Sequence, residues 1–238
     1  MPVKSVYLPN PVIESDLILV QDEEHRHLSV ARVQPGERLE VFDGMGTVWD
    51  TVTVRSDRHE TVVRVESRRL IERDPCELIL GLSLIQASAF ELAIEKAVET
   101  GVHRIIPILA SRSNVRDARR KDRWQRIIIE ASKQSKRYHI PVLDDAVSFE
   151  EILRLPATSR ILFAERDGGK LQSALTGSPV LYLIGPEGGW TDSELNSARS
   201  HDFSLVGLGP TILRAETAAI IATALVSYEL RKKNPLLS

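Results

Sequence analysis

The apolar residues of this chain change their period once, at Asp74-Pro75, and that change limits what each half can fold into. Before it they alternate over short stretches, as in Arg38-Leu39-Glu40-Val41-Phe42, Val48-Trp49-Asp50-Thr51-Val52-Thr53-Val54 and Thr61-Val62-Val63-Arg64-Val65. Alternation with period two marks strands with one covered face. Pro35-Gly36, Asp43-Gly44 and Ser56-Asp57-Arg58-His59 supply turns. Residues 1–72 therefore predict a small β-rich domain of barrel type, with one short helix near residues 23–30.

After Asp74-Pro75, residues 78–85, 104–109, 160–164, 180–184 and 204–208 form apolar runs separated by stretches of helical spacing. A strand that is apolar throughout needs cover on both faces, so residues 73–238 predict an α/β domain. Ser88 with Glu91, Ser148 with Glu151 and Thr191 with Glu194 have the spacing of capping boxes and place three helix starts. In the first of these helices Phe90, Ile94, Ala97 and Val98 share a face, and Gly101 is placed to end it. Asp122 is placed to cap another, in which Trp124, Ile127, Ile128 and Ala131 face a core while Arg123, Arg126, Lys133 and Arg137 face solvent.

Charge matters here only through its distribution. The net charge is −2, yet residues 111–139 carry ten Lys and Arg against three Asp and Glu, a net of +7 that leaves −9 for the rest. Such a concentration suits a phosphate-contacting surface, and a solvated helix face is the alternative. The preferred phosphate contacts on a nucleic acid are Arg112, Arg116, Lys133 and Arg137, with Gln134 suited to a base edge or sugar. No stretch approaches the roughly 20 apolar residues of a membrane span, and Met1-Pro2-Val3-Lys4 opens no apolar run. Cys76 is the only cysteine, so no intrachain disulfide can form. The expectation is a cytoplasmic protein without a membrane partner. His25 and His27 are near neighbours, but the six histidines and one cysteine lack a metal-ligand spacing, so no metal is expected.

Two strand-to-helix connections are candidates for chemistry. Residues 180–184 run into Gly185-Pro186-Glu187-Gly188-Gly189-Trp190, and residues 204–208 run into Gly209-Pro210-Thr211-Ile212-Leu213-Arg214, ahead of a long helix to about residue 231. Ligands of α/β sheets bind at the carboxyl ends of strands, and glycines let the backbone approach closely. Neither a Gly-Lys-Ser/Thr ending nor a G-x-G-x-x-G pattern is present, which argues against nucleoside triphosphates and dinucleotides. Tight structural turns remain an equal reading of these glycines.

Taken together, Ile184-Gly-Pro-Glu-Gly-Gly189 and Leu208-Gly-Pro-Thr-Ile-Leu-Arg-Ala-Glu-Thr-Ala218 closely resemble the signature of the bacterial 16S ribosomal RNA (uracil-N3) methyltransferases of the SPOUT class. The resemblance extends to Glu95-Lys96-Ala97-Val98-Glu99-Thr100-Gly101-Val102, Ser111-Arg112-Ser113, Arg123-Trp124, Glu130-Ala131 with Gln134 and Arg137, and Phe42-Asp43-Gly44. It implies a PUA-like β-barrel followed by a SPOUT-type α/β domain with a trefoil knot, a topology that composition cannot reveal. It also implies a homodimer acting on 16S rRNA in the small ribosomal subunit, with S-adenosyl-L-methionine as cofactor. The implied cofactor-binding residues are Phe163, Ala164, Glu165, Ile184, Gly185, Pro186, Glu187, Gly188, Gly189, Leu208, Gly209, Ile212, Leu213, Arg214, Thr217 and Ala218. This chain departs from the family pattern at Thr211, usually Arg, and at Ala215, often Thr.

Arg214 and Glu216 are the candidate catalytic pair. A uracil nitrogen attacks as its proton leaves, which calls for a cation at the carbonyl oxygens and a base. Arg214 suits the first task, and Glu216 either accepts the proton or orients Arg214. A phosphate or dimer contact for Arg214 and a helix cap for Glu216 stand beside that reading. An RNA-binding protein that has lost catalysis, or a methyltransferase of another RNA, are the alternatives for the whole chain.

Overall fold

The structure, a computed structural model, describes residues 3–113, 120–165 and 168–233. It divides into two compact units, Met1–Arg73 with Ser132–Ile140, and Asp74–Ala131 with Pro141–Ser238.

The first unit holds β1 (Lys4–Tyr7), β2 (Ile13–Glu14), β3 (Leu17–Val20), α1 (Asp22–Val30), β4 (Arg38–Phe42), β5 (Thr47–Ser56) and β6 (Thr61–Leu70). The strands form one sheet in the order β1-β4-β5-β6-β3-β2, with the register of β5 and β6 shifted at two points. Alternate residues Leu39, Val41 and Val63 point into a core with Val6, Ile18, Val20 and Leu28 of α1. The order ends on β1 and β2, so among the described residues the pairing is an open path where sequence pattern suggested a closed barrel. His25 is buried with its ring nitrogens engaged by Thr61 Oγ1 at 3.0 Å and Ser29 Oγ at 3.3 Å, a structural role.

Residues 132–140 return to this unit, which a single boundary after residue 72 does not anticipate. Gly46 N donates to Tyr138 O at 3.0 Å and Ile140 N to Gly44 O at 2.9 Å. Gly46 has φ +100°, and a Cβ there would lie 2.5 Å from His139 Nε2, so the junction admits only glycine.

The second unit contains β7 (Leu78–Ser83), α2 (Ala87–Thr100), β8 (Arg104–Leu109), α3 (Lys121–Gln134, whose last residues already belong to the first unit), β9 (Val142–Leu143) and β10 (Val147–Ser148). It continues with α4 (Phe149–Ile152), β11 (Ser159–Phe163), α5 (Leu171–Ala174), β12 (Val180–Ile184), α6 (Asp192–Ser200), β13 (Ser204–Val206) and α7 (Ala215–Lys233). All strand pairings here are parallel, in the order β10-β8-β7-β12-β11-β13 with β9 beside β8. Every residue of β7 and β12 is buried, as continuous apolar runs require.

On one face Ile79, Leu181 and Leu183 pack with Phe149 and Ile152 of α4, with Trp190 of the turn after β12, and with Ala198 of α6. On the other, Tyr182 donates to or accepts from Thr223 Oγ1 of α7 at 2.9 Å, and α7 packs along α2. Neighbouring strands β7 and β12 thus send their following helices to opposite faces, which opens a crevice at their carboxyl ends.

Three local expectations are corrected. The helix after residue 209 starts at Ala215, leaving Ile212, Leu213 and Arg214 in the loop, and β13 stops at Val206. Asp122 lies in the first turn of α3 and not at its cap. Ser88 does not cap α2, whose N-cap is Gln86; Glu91 instead holds Arg123 through two bonds of 2.6 and 2.7 Å. The other two capping boxes form in full, and Gly101 ends α2 in the left-handed conformation.

Candidate active site

The turn after β12 is fixed on every side. Gly189, with φ +66°, donates its N–H to Pro186 O at 2.8 Å, closing a tight turn. A Cβ on Gly185 would lie 3.0 Å from the Trp190 ring, whose Nε1 donates to Phe163 O at the end of β11 at 3.0 Å. Glu187 Oε1 accepts from Gln86 N at 3.0 Å, so the acid of this turn caps α2, a helix distant in sequence. Arg112 Nη1 donates to Gly188 O at 3.0 Å and approaches Trp190 O at 3.4 Å. Glu194, buried at the start of α6, accepts from Thr191 N at 2.8 Å and from Ser111 N at 2.9 Å.

The loop after β13 meets the loop after β11 backbone to backbone. A Cβ on Gly168 would lie 2.1 Å from Gly207 N, and Gly169 N donates to Leu205 O at 2.8 Å. Gly209, at φ +127°, has open space where a side chain would stand. The connections after β11, β12 and β13 are gathered in this way at one end of the sheet.

Together they wall a cleft of about 1000 Å³. Phe163, Ala164 and Glu165, then Ile184, Gly185, Pro186, Glu187, Gly188 and Gly189, then Leu208, Gly209, Ile212, Leu213, Arg214 and Ala218 all line it. Of the sequence-derived cofactor residues only Thr217 is not in its wall. Both positions that depart from the family pattern, Thr211 and Ala215, line it as well. So do Trp190, which ends the first glycine-rich connection, and Gln86, Ala89, Asp192, Leu195 and Arg199, which local motifs do not single out. The 3-4 spacing of Asp192, Leu195 and Arg199 puts them on one face of α6, and that spacing was the available signal.

Arg214 is exposed on the last residue before α7, and Glu216 is half-buried in its first turn. Both line the cleft, and no hydrogen bond or ion pair joins them among the described residues. Cations of Arg112, Arg199 and Arg214 share the cleft with carboxylates of Glu165, Glu187, Asp192 and Glu216.

Of the expected RNA contacts, Arg112 belongs to the second unit and Lys133, Gln134 and Arg137 to the first. Arg116 lies outside the described residues. Arg112 belongs to the cleft wall, bonded to the turn. Lys133 is corrected from solvent to an ion pair with Glu24 at 2.9 Å, with only 10% of its side chain exposed. Gln134 is exposed and Arg137 half-buried. Lys121 meets Asp145 at 2.7 Å and Lys136 meets Glu40, so acids from elsewhere in the sequence offset part of the +7.

Residues 72–227 match a family model described as an RNA methyltransferase domain, and residues 20–65 one described as an RNA methyltransferase PUA domain. The chain is 31% identical over 236 residues to the ribosomal RNA small subunit methyltransferase E of Synechocystis sp., covering 95% of this chain and 78% of that one. It is 30% identical over 229 residues to the protein of the same name from Bacillus subtilis, covering 87% and 88%. Among solved structures, that of a ribosomal RNA small subunit methyltransferase E from Neisseria gonorrhoeae bound to S-adenosyl methionine is similar with a TM-score of 0.89 at 29% identity, covering 95% of this chain and 98% of that one. A methyltransferase of Legionella pneumophila in complex with the same cofactor gives a TM-score of 0.89 at 26% identity, over 96% and 98%.

Proposed function

We propose, from the premise that the chain belongs to the RNA methyltransferase family, that it methylates 16S rRNA of the small ribosomal subunit at N3 of a uridine, using S-adenosyl-L-methionine. One observation carries the reading: the two loops of the family signature and the loop after β11, which the resemblance implies also binds cofactor, converge on a single cleft at the carboxyl ends of β11, β12 and β13. The cleft fits that cofactor. Gly185, Gly188, Gly189 and Gly209 keep its walls low, Ile184, Leu208, Ile212 and Leu213 offer apolar surface for a purine, and Glu165, Glu187, Asp192 and Glu216 suit a cation.

When bound, S-adenosyl-L-methionine supplies a methyl group on a cationic sulfur, and the protein must hold the uracil nitrogen in line with it. Arg214, exposed at the cleft, donates to a uracil carbonyl oxygen as negative charge develops there. Glu216, two residues on, takes the N3 proton directly or through water.

The finer architecture follows the same reading: a SPOUT-type knot in the second unit, a PUA-like domain that binds RNA in the first, and a cytoplasmic homodimer. Exposed Leu225 and Tyr228 on α7 support self-association through that helix. Among the described residues no helix is long and apolar enough to cross a membrane. For RNA, exposed Gln134 is better placed than Lys133, and Arg116 and Arg137 remain candidates. Small subunits from a strain lacking the gene, incubated with the purified protein and methyl-labelled cofactor, should gain one 3-methyluridine in 16S rRNA by nucleoside mass spectrometry. Label in another nucleoside, or none, would overturn the proposal.

A further inference from the structure

We propose that Arg112 is a positioning residue for the turn at residues 185–190, holding its peptides in the orientation that receives the cofactor, and does not contact RNA phosphate. The inference rests on reading the cleft as a cofactor site. Two consecutive glycines, Gly188 and Gly189, leave the turn with little torsional restraint of its own. In a trans peptide the carbonyl and the next N–H point to opposite sides. When Arg112 holds the Gly188 carbonyl, the N–H of Gly189 is aimed at Pro186 O; when it draws the Trp190 carbonyl, the N–H of Thr191 is aimed at Glu194.

The side chain is also built into the turn by packing. A Cβ on Gly188 would lie 3.1 Å from Arg112 Cβ, so the arginine stem lies against that residue. Next door, Ser111 N donates to buried Glu194, which anchors the backbone that carries Arg112 to the same helix start. On the far side Glu187 is held by Gln86 N, so the turn is pinned at both shoulders. Of these pins only Arg112 acts on the glycine pair itself.

Calorimetric titration of S-adenosyl-L-methionine into wild type, Arg112→Ala and Arg112→Lys, with matched melting temperatures, tests this beside salt-dependent binding of a 16S rRNA fragment without cofactor. Loss of a charged hydrogen bond predicts a cofactor Kd raised about tenfold in Arg112→Ala. Lysine keeps the charge but not the planar fork, so Arg112→Lys should fall between. The KM for cofactor should rise while the KM for RNA and kcat hold. An unchanged cofactor Kd in Arg112→Ala overturns the proposal. So does a weakened RNA affinity with a salt slope lower by about one, the mark of a lost phosphate contact. Should Arg112→Ala fail to fold, an Arg112→Lys protein with wild-type cofactor Kd overturns it equally. A wild type that takes up no cofactor overturns the reading of the cleft and this proposal with it.

Discussion

Lys133 illustrates how a side chain that reads as a surface cation can be a structural one. Its ammonium lies against Glu24, and the two side chains are 10% and 13% exposed, so each would leave the other's charge poorly solvated if removed. Truncating one partner of a buried pair costs about 3–5 kcal/mol, and slightly less is expected for this nearly buried pair. Lys133→Ala should therefore lower the melting temperature and leave the salt slope of RNA binding unchanged; a reduced slope at unchanged stability would return Lys133 to the phosphate surface. Arg214 and Glu216 carry the opposite expectation, because among the described residues no hydrogen bond or ion pair engages either side chain. Arg214→Ala should lower kcat by about 10²–10³ at saturating cofactor and RNA, and Glu216→Gln by about 10²–10⁴. Both should fold as wild type by thermal melting, and wild-type turnover in both would remove them from the chemistry.

Helix starts show what a local spacing can and cannot reveal. At α4 and α6 the cap and its acid lie three residues apart, so Ser148 with Glu151 and Thr191 with Glu194 were legible in the sequence and form complete capping boxes. Hydrogen bonds from the Ser148 hydroxyl and N–H hold the Glu151 carboxyl below the ordinary carboxylate range. The same spacing at Ser88 and Glu91 forms no box, because the N-cap of α2 is Gln86, two residues earlier, and the N–H of Gln86 is met by Glu187, which lies 101 residues away. No local pattern encodes that partner. In α6, Thr191 organises a glutamate that also anchors Ser111, so the cap joins the cleft wall to the segment leading into α3. Thr191→Ala should cost about 1 kcal/mol, a fall of about 2–4 °C in the melting temperature of a unit this size. An unchanged melting temperature would mean that Glu194 keeps its position without the hydroxyl.

For the whole molecule, the period changes at Asp74-Pro75 because burial on one face or both leaves a direct mark on composition, and the longer segment of the first unit ends at Arg73. Two of the cleft loops, those after β12 and β13, were legible for a different reason: each follows an apolar run, and their residues match a family signature. The return of residues 132–140 to the first unit was not legible, since its hold depends on groups far apart in the chain. Glu40 is the centre of that hold. It accepts from Tyr138 Oη at 2.9 Å and Arg69 Nη2 at 2.6 Å, and from Lys136 Nζ, while Arg69 stacks 5.2 Å from the centre of the Tyr138 ring. Burial alone would push the Glu40 carboxyl up; hydrogen bonds from Lys136 and Tyr138, with the charges of Lys136 and Arg69, outweigh it and hold the group below the ordinary range. A carboxyl lowered on folding adds stability that is complete above its unfolded pKa and is lost as the pH falls through its folded value. Glu40→Gln should therefore melt below wild type at pH 7, and the two melting temperatures should converge as the pH falls through and below about 4, where unfolded glutamates titrate. A gap that stays constant down to pH 3 would mean that shape and neutral hydrogen bonding at Glu40, and not its charge, keep residues 132–140 on the first unit.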